Sequence, residues 1–204
     1  MSKSTIIKEL IHHSIEESTA IERLYLIALE LGYTKIIKWC ENELQGYPPD
    51  VIIPDYRHIG LGVIIYSGVK GNVKLENAIL QPEIVSNKFD QILEFTKINS
   101  NITSVKRISK GTTFSIDLNW LITHVYKVSN IQCLRLRMDY DTSVLQNIVS
   151  SVRIKLIKAF ILLESKFGNL DNFDIDYSQA NQDELNNLKG ELENILFYDN
   201  KSLQ

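Results

Sequence analysis

The chain has little of what small proteins use to bind metals or staple loops. Two cysteines and four histidines are spread over 204 residues. Cys40 and Cys133 are far apart and each lies in an apolar pattern, which predicts buried free thiols rather than a disulfide. His12 and His13 are neighbours, so on a helix they point about 100° apart and cannot share one metal. No H-E-x-x-H or C-x-x-C spacing occurs, and neither a P-loop nor a G-x-S-x-G elbow is present. The Arg-to-His spacing used by many small ribonucleases is also missing. No metal site, cofactor or catalytic residue is therefore assigned, and the expectation leans away from an enzyme. Charge of one sign is lacking too. The formal net charge is −3 and the sequence pI about 5.8, which gives no overall drive toward nucleic acid or an anionic membrane. No window approaches the roughly 18–20 uninterrupted apolar residues of a bilayer span. The opening MSKSTIIKELIHH lacks the apolar run of a secretory signal, so the cytoplasm is the expected location.

What is present is an apolar share of 44%, enough for a real core in one domain with an appendage. Charge is unevenly placed. Residues 1–50 carry five Lys/Arg against eight Asp/Glu, residues 51–140 eleven against seven, and residues 141–204 six against ten. A basic middle between acidic ends reads first as ordinary surface charge, and otherwise as an internal dock or a site for an anionic partner.

Residues 4–17 read as a first helix with Ile6, Ile7, Leu10, Ile11 and Ile15 on one face. Thr19-Ala20-Ile21-Glu22 fits a capping box for a second helix that Gly32 stops. Thr34 caps a third, with Ile36, Ile37, Trp39, Cys40 and Leu44 as its apolar face. Lys35, Lys38, Glu41, Glu43 and Gln45 form its wet face. Gly46-Tyr47-Pro48-Pro49 makes a rigid corner, because proline cannot continue a helix. The chain then turns extended through Tyr56-Arg57, where a first strand is expected. Gly60-x-Gly62 lies within that β pattern and is no nucleotide loop, which needs a strand before it and a helix after it.

The ordered run Leu29-Glu30-Leu31-Gly32, Trp39, Glu43-Leu44, Gln45-Gly46-Tyr47-Pro48 and Pro54-Asp55-Tyr56-Arg57 resembles the AbiTii family of bacterial abortive-infection (phage-defence) proteins. An E-L-x-G-Y-P stretch followed by a tyrosine-arginine strand is the recurring signature of that family. The sharp part of the resemblance covers roughly a fifth of the chain. It implies a bacterial cytoplasmic protein that helps abort phage infection together with a companion protein. It does not imply a mechanism. Gly46, Tyr47, Pro48, Tyr56 and Arg57 carry the signature, and they read first as structural turn and packing residues.

Further along, Lys88–Phe95 and a segment around Ile102, Val105 and Ile108 predict short helices. Lys106, Arg107 and Lys110 make a small basic cluster there. Thr112–Ile116 reads as extended, and Asp117 caps a helix over Leu118–Val125 that contains Trp120. Asn130–Tyr140 is the clearest strand, with Arg135 and Arg137 projecting from one sheet face. They are paired with carboxylates or open to an anion. Asp141 or Thr142 caps a long helix to Phe167 that is expected to lie across the sheet. Lys155, Lys158, Glu164 and Lys166 fall mostly off its apolar face. Asp139-x-Asp141 and Asp174-x-Asp176 read as turn or linker acids. Residues 169–182 read as a polar linker, followed by an amphipathic helix with Leu185, Leu188, Leu192 and Ile195 on one face.

The expected fold is α+β: an N-terminal helical hairpin, a small mostly antiparallel sheet, one long helix packed across it and a C-terminal amphipathic helix. The expected division is an AbiTii-like α+β domain over 1–168 and a linker plus helix over 169–204. Two functions follow. The first is a non-enzymatic sensor or interaction module of antiphage defence, working as a homo-oligomer or with a companion protein through Leu185, Leu188, Leu192 and Ile195. The second is a nucleic-acid binder or cryptic nuclease that holds its anion with Lys106, Arg107, Arg135 and Arg137.

Overall fold

The computed structural model describes residues 3–171 and 181–198. The fold class is α+β. The chain enters through α1 (Thr5–Ile11), α2 (Glu17–Glu30) and α3 (Thr34–Gln45). A hairpin of β1 (Val63–Lys70) and β2 (Val73–Ile79) follows, then the short helices α4 (Phe89–Glu94) and α5 (Ile102–Ile108). β3 (Thr113–Asp117), α6 (Ile122–Ser129) and β4 (Ile131–Asp141) complete the sheet region. The long α7 (Ser143–Phe167) and α8 (Gln182–Phe197) close the described chain. Its residues divide into two compact units. One draws on Met1–Arg57, Asn99–Arg107 and Gln146–Gln204, the other on His58–Ile98 and Ile108–Leu145.

The helical unit has one core. Ile7, Leu10, Ile21, Leu24, Ile36 and Trp39 meet Leu156, Phe160 and Leu163 of α7 and Leu188, Leu192 and Leu196 of α8. The inner part of α7 thus spends its buried face on helices. Local signals set several boundaries. Gly32, at φ +67°, completes a double-bonded helix stop in which Tyr33 N–H donates to Ala28 and Gly32 N–H to Leu29. Asn181 and Glu184 cap α8 reciprocally. Other boundaries fall differently from expectation. α1 ends at Ile11, where His12 and His13 turn the chain, His13 in the left-handed region. α2 starts at Glu17, so Thr19 lies inside the helix and the Thr19–Glu22 box is not its start. Thr34 is the first residue of α3 rather than its cap. For α2 and α3, burial of the apolar face outweighs an expected cap worth about 1 kcal/mol.

The sheet unit is a four-stranded antiparallel sheet in the order β2-β1-β4-β3. One face carries Ile64, Tyr66, Leu136, Met138 and Tyr140, covered by Val85, Ile92, Leu118, Leu121 and Val125. Ser67 pairs with Arg135 but Gly68 pairs with Cys133, so Leu134 is an extra residue in β4 and faces out. Gly68 is required there: a Cβ would sit 2.2 Å from the Gln132 carbonyl oxygen. Gly60 and Gly62 precede β1 rather than lying inside it. Tyr56 and Arg57 are not in a strand either. They form a turn of 3-10 helix, Asp55–Arg57, closed by Arg57 N–H on the Pro54 carbonyl. Trp120 lies in another such turn, Asn119–Leu121, ahead of α6.

Candidate functional site

The most organised polar cluster sits at the end of α3. Glu43, expected on the wet face, is fully buried. Its spacing explains why: Ile36, Trp39 and Glu43 recur at the i, i+3, i+7 positions of one helical stripe. A carboxylate there costs several kcal/mol unless it is paired and hydrogen-bonded. Arg57 supplies the pair, with Nε donating to Oε1 at 2.9 Å and Nη2 to Oε2 at 2.5 Å. The hydroxyls of Tyr47 and Tyr56 each donate to the same Oε1 at 2.7 Å, and Trp39 Nε1 donates to the Tyr56 oxygen at 3.0 Å. Arg57 Nη1 reaches the Ser100 carbonyl at 2.7 Å, and its guanidinium stacks on the Tyr47 ring.

Gly46, at φ +102°, lets the chain leave α3 while Tyr47 N–H donates to the Asn99 carbonyl. A Cβ on Gly46 would press that same oxygen at 3.0 Å. Burial, then the Glu43 carboxylate, pushes both tyrosine hydroxyls far above their ordinary range. Burial works against the Arg57 charge, but Glu43 overrides it and holds the guanidinium charged. The signature residues Gly46, Tyr47, Tyr56 and Arg57 therefore converge on one acid, and exposed Pro48 ends the helix beside them. This cluster is a closed lock: its groups are used by one another, and it offers no nucleophile or base to solvent.

Other acids are similarly engaged. Glu17 is buried between Arg153, bonded through Nη2, and Lys106, at 2.8 Å, and Lys106 also meets Glu16 at 2.5 Å. Arg153 keeps Nε and Nη1 buried without a hydrogen bond among the described residues. Glu164 accepts from Ser4 N–H, Ser4 Oγ and Lys3 Nζ, which hold its carboxyl at about 2 despite burial. Lys155 is buried, contrary to its expected outward placement. It donates to the Ile195 and Tyr198 carbonyls and lies over the Tyr56 ring. Asp141 accepts from Ser143 N–H at the start of α7. Asp174-x-Asp176 lies outside the described residues.

The four cations assigned to an anion have different surroundings. Lys106 is held by Glu16 and Glu17. Arg107 is exposed on α5. Arg137 forks onto Asp139 at 2.8 and 3.1 Å and reaches Asn77. Arg135 is exposed beside Leu134. On α8, Leu188 and Leu192 are buried in the chain's own core, Ile195 packs at its margin and Leu185 is half-buried. The Tyr33 hydroxyl donates to the Leu185 carbonyl, and Lys35 pairs with Glu193. That face is spent within the chain rather than offered to another one.

The largest apolar exposure on the sheet was missed by sequence reasoning. Leu134 is 75% exposed, Ile79 70% and Val63 49%, and the exposed Arg135 follows Leu134 on β4. A signal for it exists. Apolar residues in β4 fall at odd positions through Ile131 and Cys133, then at even ones from Leu136 to Tyr140, so one residue between must bulge.

No helix among the described residues is long and apolar enough to cross a membrane. No group of His, Cys, Asp or Glu suited to a metal gathers among them. No curated protein and no solved structure matches the chain. The AbiTii family model does match it, over residues 4–187. That span takes in the Glu43 lock, the whole sheet and the start of α8, and the chain belongs to the AbiTii family of abortive-infection proteins, which act in defence against phage.

Proposed function

We propose that this protein serves abortive infection as an interaction module, working by contact with another protein chain rather than by turning over a substrate. The carrying observation is the outer sheet face, on which Val63, Ile79 and Leu134 are exposed, with Arg135 next to Leu134. Exposed apolar side chains gathered on one face and mixed with arginine are typical of protein contact sites. The acids that could serve catalysis support the same reading, since Glu43, Glu17, Glu164 and Asp139 are each committed to internal partners. The test is a phage challenge of cells carrying Leu134→Asp with Arg135→Glu. Protection should fall while circular dichroism stays unchanged. Full protection by the folded double variant would sink the proposal.

A second reading, nucleic-acid binding, rests on Arg135 and Arg107 as the exposed members of the four cations. It requires retardation of DNA or RNA that weakens steeply with salt. Mobility unchanged at low salt would remove it.

A further inference from the structure

We propose that two copies of this chain pair through the free edge of β3, antiparallel and centred on Ser115, to run one sheet through both. The proposal rests on the interaction reading and names its partner as a second copy. β3 has β4 on one side and no described strand on the other. Its register with β4, together with Leu118 N–H on the Leu136 carbonyl and Thr142 N–H on the Thr112 carbonyl, turns the even-numbered backbone groups toward β4. In an antiparallel ladder the odd positions then face away, so Thr113, Ser115 and Asp117 present their amides and carbonyls at the edge. All three residues are exposed.

The other edge is blunted. In β2, Glu76 and Asn77 both stand opposite Ser67, Asn77 has φ +52°, and its N–H is taken by the Ser67 hydroxyl. A bulge of that kind protects an edge from pairing. β3 has a regular register with β4 and no such device.

The β3 sequence also complements itself under a two-fold axis. With Ser115 opposite Ser115 of the other copy, Thr113 meets Asp117, which matches a hydroxyl donor with a carboxylate on one face. On the opposite face Phe114 meets Ile116, an aromatic–β-branched cross-strand pair. Both are half-buried at the margin of the sheet core, and Phe114 already stacks on Tyr140 at 5.1 Å. The antiparallel arrangement brings Lys110, ahead of one β3, to the end where Asp117 leaves the other. The contact is isologous, so it closes on a dimer.

Ser115 falls at a hydrogen-bonded position of the new pair, where Cα atoms lie about 5.5 Å apart, within disulfide range. The test is mild oxidation of the full-length Ser115→Cys protein, with Glu76→Cys on β2 as the exposed control. The native Cys40 and Cys133 are buried, so the wild type sets the background. Ser115→Cys should give a covalent dimer of twice the 23.4 kDa chain, and Glu76→Cys should remain a monomer. Ser115→Pro, whose lost amide is turned away from β4 by the register, should remove the dimer seen by light scattering at unchanged circular dichroism. Cross-linking of Ser115→Cys no faster than of Glu76→Cys overturns the β3 pairing. If that happens while Leu134→Asp with Arg135→Glu still abolishes protection, the interaction reading stands without it. If Ser115→Cys cross-links and both Ser115→Pro and the double variant protect fully, the pairing stands and the interaction reading falls.

Discussion

Glu43 and Arg57, fourteen positions apart in the chain, face each other with no solvent exposure and join through two parallel hydrogen bonds. A buried fork of this kind adds little net stability over an apolar pair, but removing one half strands the other charge. Glu43→Ala should therefore destabilise the protein by about 3–5 kcal/mol, while Glu43→Leu with Arg57→Met should recover most of the loss. Urea unfolding of the three proteins checks this. A double variant as unstable as the single one would show that the charges themselves are required.

The two tyrosines on the Glu43 carboxylate are not equivalent. Tyr47→Phe removes one bond to a charged acceptor, a loss of about 1.5–3 kcal/mol. Tyr56→Phe removes a matching bond and also the acceptor for Trp39 Nε1. Its cost should be the larger of the two, with a change in tryptophan fluorescence that Tyr47→Phe does not show.

Glu164 ties Lys3 and Ser4 to α7, and its folded-state pKa, about 2, lies below the ordinary value near 4.5. The sign follows from linkage. Its stabilisation is fully present above pH 4.5 and is lost as the pH falls through about 2. Glu164→Gln should flatten the acid limb of the stability–pH curve across that window and lower stability at neutral pH. An unchanged acid limb would show that the clamp does not form in solution.

Leu192 of α8 is 1% exposed in the helical core. Leu192→Ala should cost about 2–5 kcal/mol in thermal or urea unfolding. Removal of residues 181–204 should destabilise the helical unit rather than merely change assembly. A truncated chain as stable as the full one would contradict the packing described.

Gly68 faces the Gln132 carbonyl so closely that Gly68→Ala must shift backbone at the β1–β4 bulge. The expected cost is about 1–3 kcal/mol. Gly71, where an added Cβ meets nothing, keeps its cost to backbone strain, since φ is +60° there. Comparing the two alanine variants separates steric from conformational loss.

Helix periodicity, the Gly32 stop and the alternation of β4 were all legible in the residues, because each is a local arrangement of neighbours along the chain. The family signature was legible for the same reason. What those signature residues do was decided only by the tertiary structure. Tyr56 and Arg57 reach Glu43 from thirteen and fourteen positions away, and only that convergence makes a buried carboxylate tolerable. Similarly, the amphipathic face of α8 was evident in its spacing. Whether it would cover its own core or another chain depended on α3 and α7 lying beneath it. The exposed Leu134 depended on the register of β4 against β1, since one extra residue reverses which face a side chain takes. Sequence thus set which segments are helix or strand and which family they belong to, because those rest on near neighbours. Packing between distant segments decided which charges are buried and which apolar side chains stay exposed.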